Sequence, residues 1–217
     1  MPFSRAKKVF LDQIMVSELV NLKQELISIS EASDIGFNYT PTAALQIETL
    51  ARSLEAVNPT TEPTNHLELV QGRWRLLYST FGLEQETTLQ RVSFGKLPNV
   101  AISVTGIFQE VYTSGQQYNN LIEFTLLSGI LGVTIVEGRY TVEDSKRLNI
   151  DFVETSVKSV SNDLTDSSFR KALGVDNESP LESTLSFNGW TDITYLDENF
   201  RLMRGNQKNL YVLLRSE

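Results

Sequence analysis

The sequence of 217 residues contains no cysteine and a single histidine, His66. Without cysteine the chain cannot form disulfides, Cys-ligated zinc sites or iron–sulfur clusters, and it has no thiol nucleophile. One histidine gives little basis for a histidine-rich metal centre or a serine triad, so His66 is expected to be a solvated loop residue. We therefore expect no metal site and no covalent cofactor.

Positive charge is also scarce, because 19 lysines and arginines face 27 aspartates and glutamates, for a net charge of −8. Phosphate binding needs a positive field, so nucleic acid is not an expected partner. The longest uncharged apolar stretch, around residues 124–136, is shorter than the ~20 residues of a membrane-spanning helix. Asp12 interrupts the apolar stretch near the N-terminus, so a secretory signal is not expected either.

Signatures of catalysis are missing as well. The sequence has no Gly-x-Ser-x-Gly elbow, no Walker loop and no dinucleotide fingerprint, and Gly129 with Gly132 is only a weak glycine pair. We therefore predict that the protein is not an enzyme and has no catalytic residues.

The first third of the chain has the pattern of two helices. Leu19, Leu22 and Leu26 recur at helical spacing, and Thr40-Pro41 has the form of a cap residue followed by a first-turn proline. Two prolines within residues 58–63 end the second helix and mark a boundary. We predict a helical segment over residues 1–63 that packs on a β domain over residues 64–217.

From Gly72 onward the apolar period changes to two, which is typical of strands joined by short hairpin turns. The predicted strands are residues 74–80, 89–94, 101–111, 121–127, 133–142, 147–155, 182–187, 190–196, 200–203 and 209–214. The longer interruption at residues 162–180 is either a lid over a barrel mouth or a long loop. It contains one predicted short helix, capped by Asp166, with Phe169 and Leu173 on one face and Gly174 at its end.

Helices followed by consecutive hairpins predict a predominantly β, α+β fold whose antiparallel sheet closes into a barrel. A barrel of ~8 strands is just wide enough to hold one small ligand. The helices either plug one mouth or pack outside. Apolar strand positions would fill the interior or line a cavity: Ile102, Val104, Phe108, Ile122, Phe124, Leu126, Val133, Ile135, Leu148, Ile150 and Phe152.

Three stretches carry a more specific pattern. The first is Gly72-Arg73-Trp74 at the start of the barrel, a Gly-x-Trp sequence of the lipocalin-like kind. The second is residues 189–201, GWTDITYLDENFR, and the third is residues 202–215, LMRGNQKNLYVLLR. In this order, with Asn58-Pro59-Thr60 before them, they resemble the plastid-lipid-associated protein (PAP/fibrillin) family over nearly the whole chain.

The resemblance implies a lipocalin-like β-barrel that binds a small hydrophobic molecule such as a carotenoid, a quinone or a lipid. It implies peripheral association with thylakoid membranes or lipid globules, and a role in photoprotection and stress. The expected location is the cytoplasmic face of the thylakoid in a cyanobacterium, or the stroma or plastoglobule of a plastid.

The resemblance also implies roles for particular residues. Gly72, Trp74 and Gly205 are expected to belong to a structural barrel motif in which Arg204 or Arg215 stacks over the tryptophan.

Asp197 matches an acidic residue to which a role in ligand binding is attributed in the family. The other interpretation is that Asp197 opens a turn between two strands. Arg201 and Arg204 are close enough in sequence to pair with Asp197 and Asp192.

The predicted ligand-binding residues are Asp197 and four apolar strand residues, each of which could instead be ordinary core: Phe108, Phe124, Ile135 and Phe152. Two alternatives to a carrier stay open. One is an accessory protein whose N-terminal helices dock on a membrane enzyme of isoprenoid or quinone synthesis. The other is a bilin lyase, since such lyases can also be lipocalin-like.

Overall fold

The computed structural model describes residues 5–161 and 163–216. Its α-helices are α1 (Arg5–Ala32), α2 (Pro41–Glu55), α3 (Leu67–Val70), α4 (Leu89–Val92) and α5 (Asp166–Leu173). Short 3-10 turns cover Pro63–Asn65, Ser114–Gln116 and Asn206–Lys208. The strands are β1 (Gly72–Ser79), β2 (Glu86–Thr88), β3 (Ala101–Tyr112), β4 (Gln117–Thr125), β5 (Leu131–Val142), β6 (Arg147–Ser159), β7 (Glu182–Leu196), β8 (Phe200–Gly205) and β9 (Leu210–Ser216).

The start of α2 is the one predicted from Thr40-Pro41. The Thr40 hydroxyl accepts a hydrogen bond from the Ala43 N–H at 3.2 Å, and Pro41 is the first helical residue. For α5 the predicted cap was one residue late, because Thr165 rather than Asp166 accepts the N-terminal hydrogen bond. Gly174 ends α5 with a φ of 70°, in the left-handed region that glycine adopts without strain.

Two strand predictions were wrong. Residues 89–92 form α4, because the Thr88 hydroxyl accepts from the Arg91 N–H and caps a helical turn, and residues 93–95 form the turn that follows. Leu89 and Val92 lie three residues apart and are both buried, which suits a helix. The predicted strands 182–187 and 190–196 form the single strand β7, since its ladder to β6 continues through Gly189.

The strands form one antiparallel sheet in the order β1-β9-β8-β7-β6-β5-β4-β3-β2. β1 pairs with β9 on one side and with the end of β3 on the other, where Trp74 lies opposite Gln109. The pairing therefore runs around a closed ring of eight strands, with β2 attached to the start of β3. The protein is thus a β-rich α+β fold.

Helices α1 and α2 pack on the outside of the ring, which decides between the two placements that the sequence left open. We call their contact with the sheet the outer cluster. It contains Leu26, Ile47, Leu54, Leu202 and Val212, all fully buried. Neighbouring residues of a strand face opposite sides, so Met203 and Leu213 point into the ring. Among the described residues, no helix is both long and apolar enough to cross a membrane.

Two further clusters fill the ends of the ring. We call the first the floor cluster; it surrounds Trp74, Tyr118 and Leu148. We call the second the lid-side cluster; it joins α4 and α5 to β4 through apolar residues that include Leu89 and Phe169. α5 therefore belongs to the packed core of the fold. The division of the chain at residues 63 and 64 stays a prediction.

Candidate functional site

The ring encloses a cavity of about 760 Å³ between the floor cluster and α4. Most strands of the ring contribute side chains to its wall. Aromatic rings make up much of that wall: Phe81, Phe94, Phe108, Tyr118, Phe152, Phe187, Trp190 and Tyr211. Such a wall can hold an apolar molecule through area removed from water and ring contacts.

The exposure of the wall residues shows where the cavity opens. Phe81 and Phe94 are 54% and 48% exposed, whereas Tyr118 and Leu213 at the other end are almost fully buried. We call the first end the opening and the second the floor. The opening lies between the α4 segment, the ends of β1 and β8, and the middle of β7 around Asn188.

A row of three contacting aromatic rings leads inward from the opening. The Phe94 and Phe187 ring centroids lie 4.5 Å apart, and those of Phe187 and Phe152 lie 4.9 Å apart. Phe94 has a φ of 56°, a left-handed conformation that is unusual for a bulky residue. The turn after α4 therefore holds this ring over the opening at some cost in backbone strain.

Polar residues also contribute to the wall: Ser79, Thr88, Gln90, Arg91, Gln109, Asn120, Asn188, Thr191, Asn206 and Asn209. Near the floor, Gln109 lies opposite Asn120, and its amide nitrogen donates to the Asn120 oxygen at 3.3 Å. At the opening, the side-chain oxygen of Asn206 accepts a hydrogen bond from the backbone N–H of Trp190 at 3.1 Å. An apolar wall with a few amides suits a hydrophobic ligand that has polar groups at its ends.

Below the floor, Trp74 is sandwiched between two arginines. The guanidinium carbons of Arg201 and Arg215 lie 4.4 Å and 4.3 Å from the ring centroid, within cation–π range. The indole N–H donates to the Val70 carbonyl at 2.9 Å. The predicted contact between Arg215 and Trp74 is therefore present.

Arg204, the other predicted stacking residue, does not reach Trp74. It lies on the outer face of β8, where it pairs with Glu48 at 2.8 Å and Glu55 at 2.9 Å on α2. The predicted pairing of Arg204 and Arg201 with aspartates was also wrong. Asp192 pairs with Arg147 at 2.6 Å instead.

The two glycines of the predicted barrel motif are needed where they stand. Gly72 has a φ of 125°, and a Cβ there would lie 2.5 Å from the Arg215 guanidinium. A Cβ at Gly205 would lie 2.9 Å from the Tyr211 ring. Glycine at these two positions therefore leaves room for the Arg215 guanidinium and the Tyr211 side chain.

Arg201 is the residue that the sequence reasoning missed. Its side chain is fully buried and donates to Gln109 Oε1 and, at 3.4 Å, to the Val70 carbonyl. Its Nε has no hydrogen-bond partner among the described residues. Burial lowers the pKa of Arg201 to about 10, with Tyr118 opposing this shift and Arg215 adding to it. Arg201 stands two residues before the apolar Met203, and residues two apart in a strand share a face, so the sequence could have indicated that Arg201 points into the ring.

The predicted ligand-binding residues divide between two places. Phe108 and Phe152 line the cavity. Phe124 is fully buried in the lid-side cluster, and Ile135 points away from the face that presents Val136 to the cavity. Ligand binding by these residues stays a prediction.

Asp197 lies outside the cavity wall, at the turn between β7 and β8. Its Oδ1 accepts from the N–H groups of Asn199 and Phe200 at 3.0 and 2.8 Å. Its Oδ2 accepts from Lys23 Nζ at 2.7 Å and from the Tyr195 hydroxyl at 3.1 Å. The interpretation that Asp197 opens a turn is confirmed, and the same carboxylate fastens α1 to the sheet.

Comparisons with known proteins identify the family. The chain is 27% identical to a plastid-lipid-associated protein, chloroplastic, of Citrus unshiu, and the match covers 92% of this chain and 69% of the relative. It is 26% identical to a chromoplast-specific carotenoid-associated protein of Cucumis sativus, with 92% and 69% covered. A chloroplastic light-induced protein of Solanum tuberosum is 24% identical, with 92% and 68% covered. No solved structure shows a significant match. Because the family model of PAP/fibrillin matches residues 20–214, the chain belongs to the PAP/fibrillin family.

Proposed function

We propose that this protein is a non-enzymatic carrier or structural binding protein for a small hydrophobic molecule, and that its closed ring is a lipocalin-like barrel. The observation that carries the proposal is the cavity of about 760 Å³, with a row of three contacting aromatic rings leading in from its open end. The names of two relatives, plastid-lipid-associated and carotenoid-associated, support the same chemistry.

The physical argument rests on the match between the wall and an apolar ligand. Ligand sites commonly measure ~300–1,000 Å³, and this cavity lies within that range. Each Å² of apolar surface removed from water contributes about 25 cal/mol, so a long hydrocarbon gains much from full enclosure. A carotenoid, a quinone or a lipid supplies such a surface.

We place the protein in a plastid or at the cytoplasmic face of a cyanobacterial thylakoid. The chloroplastic and chromoplastic relatives support the plastid setting. Peripheral association with a thylakoid membrane or lipid globule, and a role in photoprotection, follow as parts of this proposal. The half-exposed Phe81 and Phe94 rings at the opening are suited to ligand exchange with a lipid phase.

The test is organic extraction and mass spectrometry of the protein isolated from a photosynthetic host. We expect one apolar molecule per protein chain. Purified protein should also take up members of a panel of carotenoids, quinones and lipids, followed by ligand absorbance or fluorescence. The proposal is wrong if the isolated protein is empty and no member of the panel binds.

A further inference from the structure

Arg201 is a fully buried cation, and no described side chain supplies a counter-charge to it. In the antiparallel ladder of β8 and β9 it lies opposite Leu213, a residue of the cavity wall, so its side chain enters the ring beside the floor. Among the side chains that the structure describes, those of residues 17–161, 163–206 and 208–216, no carboxylate forms an ion pair with it. The charge of Arg215 acts against its protonated form. A buried charge of this kind is costly unless an anion approaches it.

Gln109 extends the influence of Arg201 to the cavity. Because the guanidinium occupies the amide oxygen of Gln109, the amide NH₂ group of Gln109 is directed to the side of Asn120 and the cavity. Gln109 and Asn120 both belong to the wall. The guanidinium therefore polarises a hydrogen-bond donor at the floor.

Tyr118 supplies a second donor at the same place. Its hydroxyl is buried, and burial raises the pKa of Tyr118, so the group stays protonated. The Gln109 side chain hydrogen-bonds to this hydroxyl and opposes the shift. The acceptor found for the hydroxyl proton among the described residues is the Met203 sulfur at 4.0 Å, which is a weak one. An oxygen atom brought to the floor would give this hydroxyl a better partner.

We propose that the floor of the cavity binds the carboxylate of a long-chain acid, with Gln109 and Tyr118 as donors and Arg201 as the compensating charge. This inference rests on the proposed function and narrows it to an acidic class of hydrophobic ligand. An uncharged molecule in the same cavity would leave the guanidinium uncompensated. The apolar row from Phe152 to Phe94 would then hold the chain of the acid.

The test compares oleate with oleyl alcohol, which share the same hydrocarbon chain. We expect the delipidated full chain to bind oleate ~10-fold or more tightly than the alcohol, because hydrogen bonds to charged groups are the stronger ones. Isothermal titration or displacement of a fluorescent fatty acid gives both affinities. Circular dichroism checks that each variant is folded.

The decisive variant is Gln109→Glu, which keeps the shape of the side chain and gives Arg201 an internal carboxylate. We expect the preference for oleate over the alcohol to fall to ~3-fold or less. Gln46→Glu is the matched control, because it makes the same substitution on the exposed face of α2, outside the cavity wall, and the preference should stay at the wild-type value. Tyr118→Phe is a second variant, with a partial loss of the preference expected.

The outcomes separate the two proposals. Equal binding of oleate and oleyl alcohol by the wild type would overturn this inference and leave the carrier function standing. A full preference for oleate in Gln109→Glu would overturn it as well. If neither molecule binds and the ligand panel also fails, the proposed function itself is wrong.

Discussion

Arg215 illustrates how a single side chain closes one end of the ring. Its guanidinium stacks on Trp74 and donates to the carbonyl of Gln71 at 2.8 Å and to those of Leu69 and Glu198. The fork of arginine can reach three carbonyls at once, whereas lysine offers a compact ammonium. The contact with Gly72 depends on the same geometry, since a side chain there would occupy the place of the guanidinium.

Arg215→Lys should therefore destabilise the protein although the charge is kept. We expect a loss of ~1–3 kcal/mol in the free energy of unfolding, because three backbone carbonyls lose a charged donor and Trp74 loses a cation–π contact. Urea unfolding followed by tryptophan fluorescence measures it. Arg75→Lys is the control: Arg75 pairs with Glu31 at the surface, where both side chains are almost half exposed, and we expect a change within ~0.5 kcal/mol. An equal effect of both substitutions would contradict the role given to Arg215.

For individual residues, the sequence predicted those roles that depend on a partner nearby in the chain or on a known motif. Thr40 caps α2 through the residue three positions on, and the Gly-x-Trp stretch pointed to Trp74 and its arginine. The role of Arg201 could not be predicted in the same way. Its partner Gln109 is 92 residues away, and only the three-dimensional register of β8 brings the two together.

Between elements, a cluster of charges fastens α2 to the sheet. Arg204 on β8 pairs with Glu48 and Glu55, which lie on one face of α2 two turns apart. Burial raises the pKa of Glu48, but hydrogen bonds and charge from Arg204 and Arg52 outweigh it, so its pKa lies below the usual 4.5. The apolar contacts of Ile47 and Leu54 lie on the same side of the helix.

The docking of α2 should weaken in acid. Since the folded pKa of Glu48 is lowered, its contribution to stability is complete above about pH 4.5 and is lost as the pH falls through the folded pKa. At pH 7 we expect Arg204→Met to cost ~1–3 kcal/mol, and at pH 3 we expect much of that difference to disappear. Thermal unfolding at both pH values measures it.

Arg52→Met is the control for this prediction. Arg52 pairs with the same Glu48 at 2.7 Å, but its own side chain is 73% exposed. We expect it to change the free energy of unfolding by ~0.5 kcal/mol or less at pH 7. If the effect of Arg204→Met is as large at pH 3 as at pH 7, the carboxylates are not its cause.

Elements with a strict period were predicted well, and the exceptions have physical causes. Residues 89–94 were predicted as a strand, yet the Thr88 cap makes residues 89–92 the helix α4, and the turn after it places Phe94 over the opening. β7 continues through Asn188 and Gly189 because both residues pair with β6. The sequence around them does not indicate this pairing. These two segments form part of the cavity wall, so the site was harder to predict than the fold.

At the scale of the whole molecule, a ligand bound in the cavity as proposed would contact most strands of the ring at once. A molecule that binds only the folded state raises its stability by mass action, by about 2.7 kcal/mol at a hundred times Kd. We therefore expect a bound ligand of the panel to raise the unfolding temperature of the protein in one cooperative transition. Differential scanning fluorimetry with and without ligand measures the shift.

Phe187→Ala should reduce that shift, because Phe187 is the middle ring between Phe94 and Phe152. Each aromatic contact is worth ~0.5–1.5 kcal/mol, so we expect binding to weaken about tenfold. Tyr112→Ala removes an exposed ring at the end of β3, outside the cavity wall, and should behave as the wild type does. An unchanged ligand shift in Phe187→Ala would place the ligand elsewhere.

The pairing of β9 between β8 and β1 also bears on how the protein is made. A ribosome delivers β1 early and residues 210–216 more than a hundred residues later, so β1 must wait for the partner that completes its ladder. During translation the inner face of the sheet has no closed wall, and no enclosed space exists for a guest molecule. Under the proposed function, loading of the cavity would therefore follow synthesis, and until β9 pairs with β1 the open edges of the sheet are exposed to aggregation.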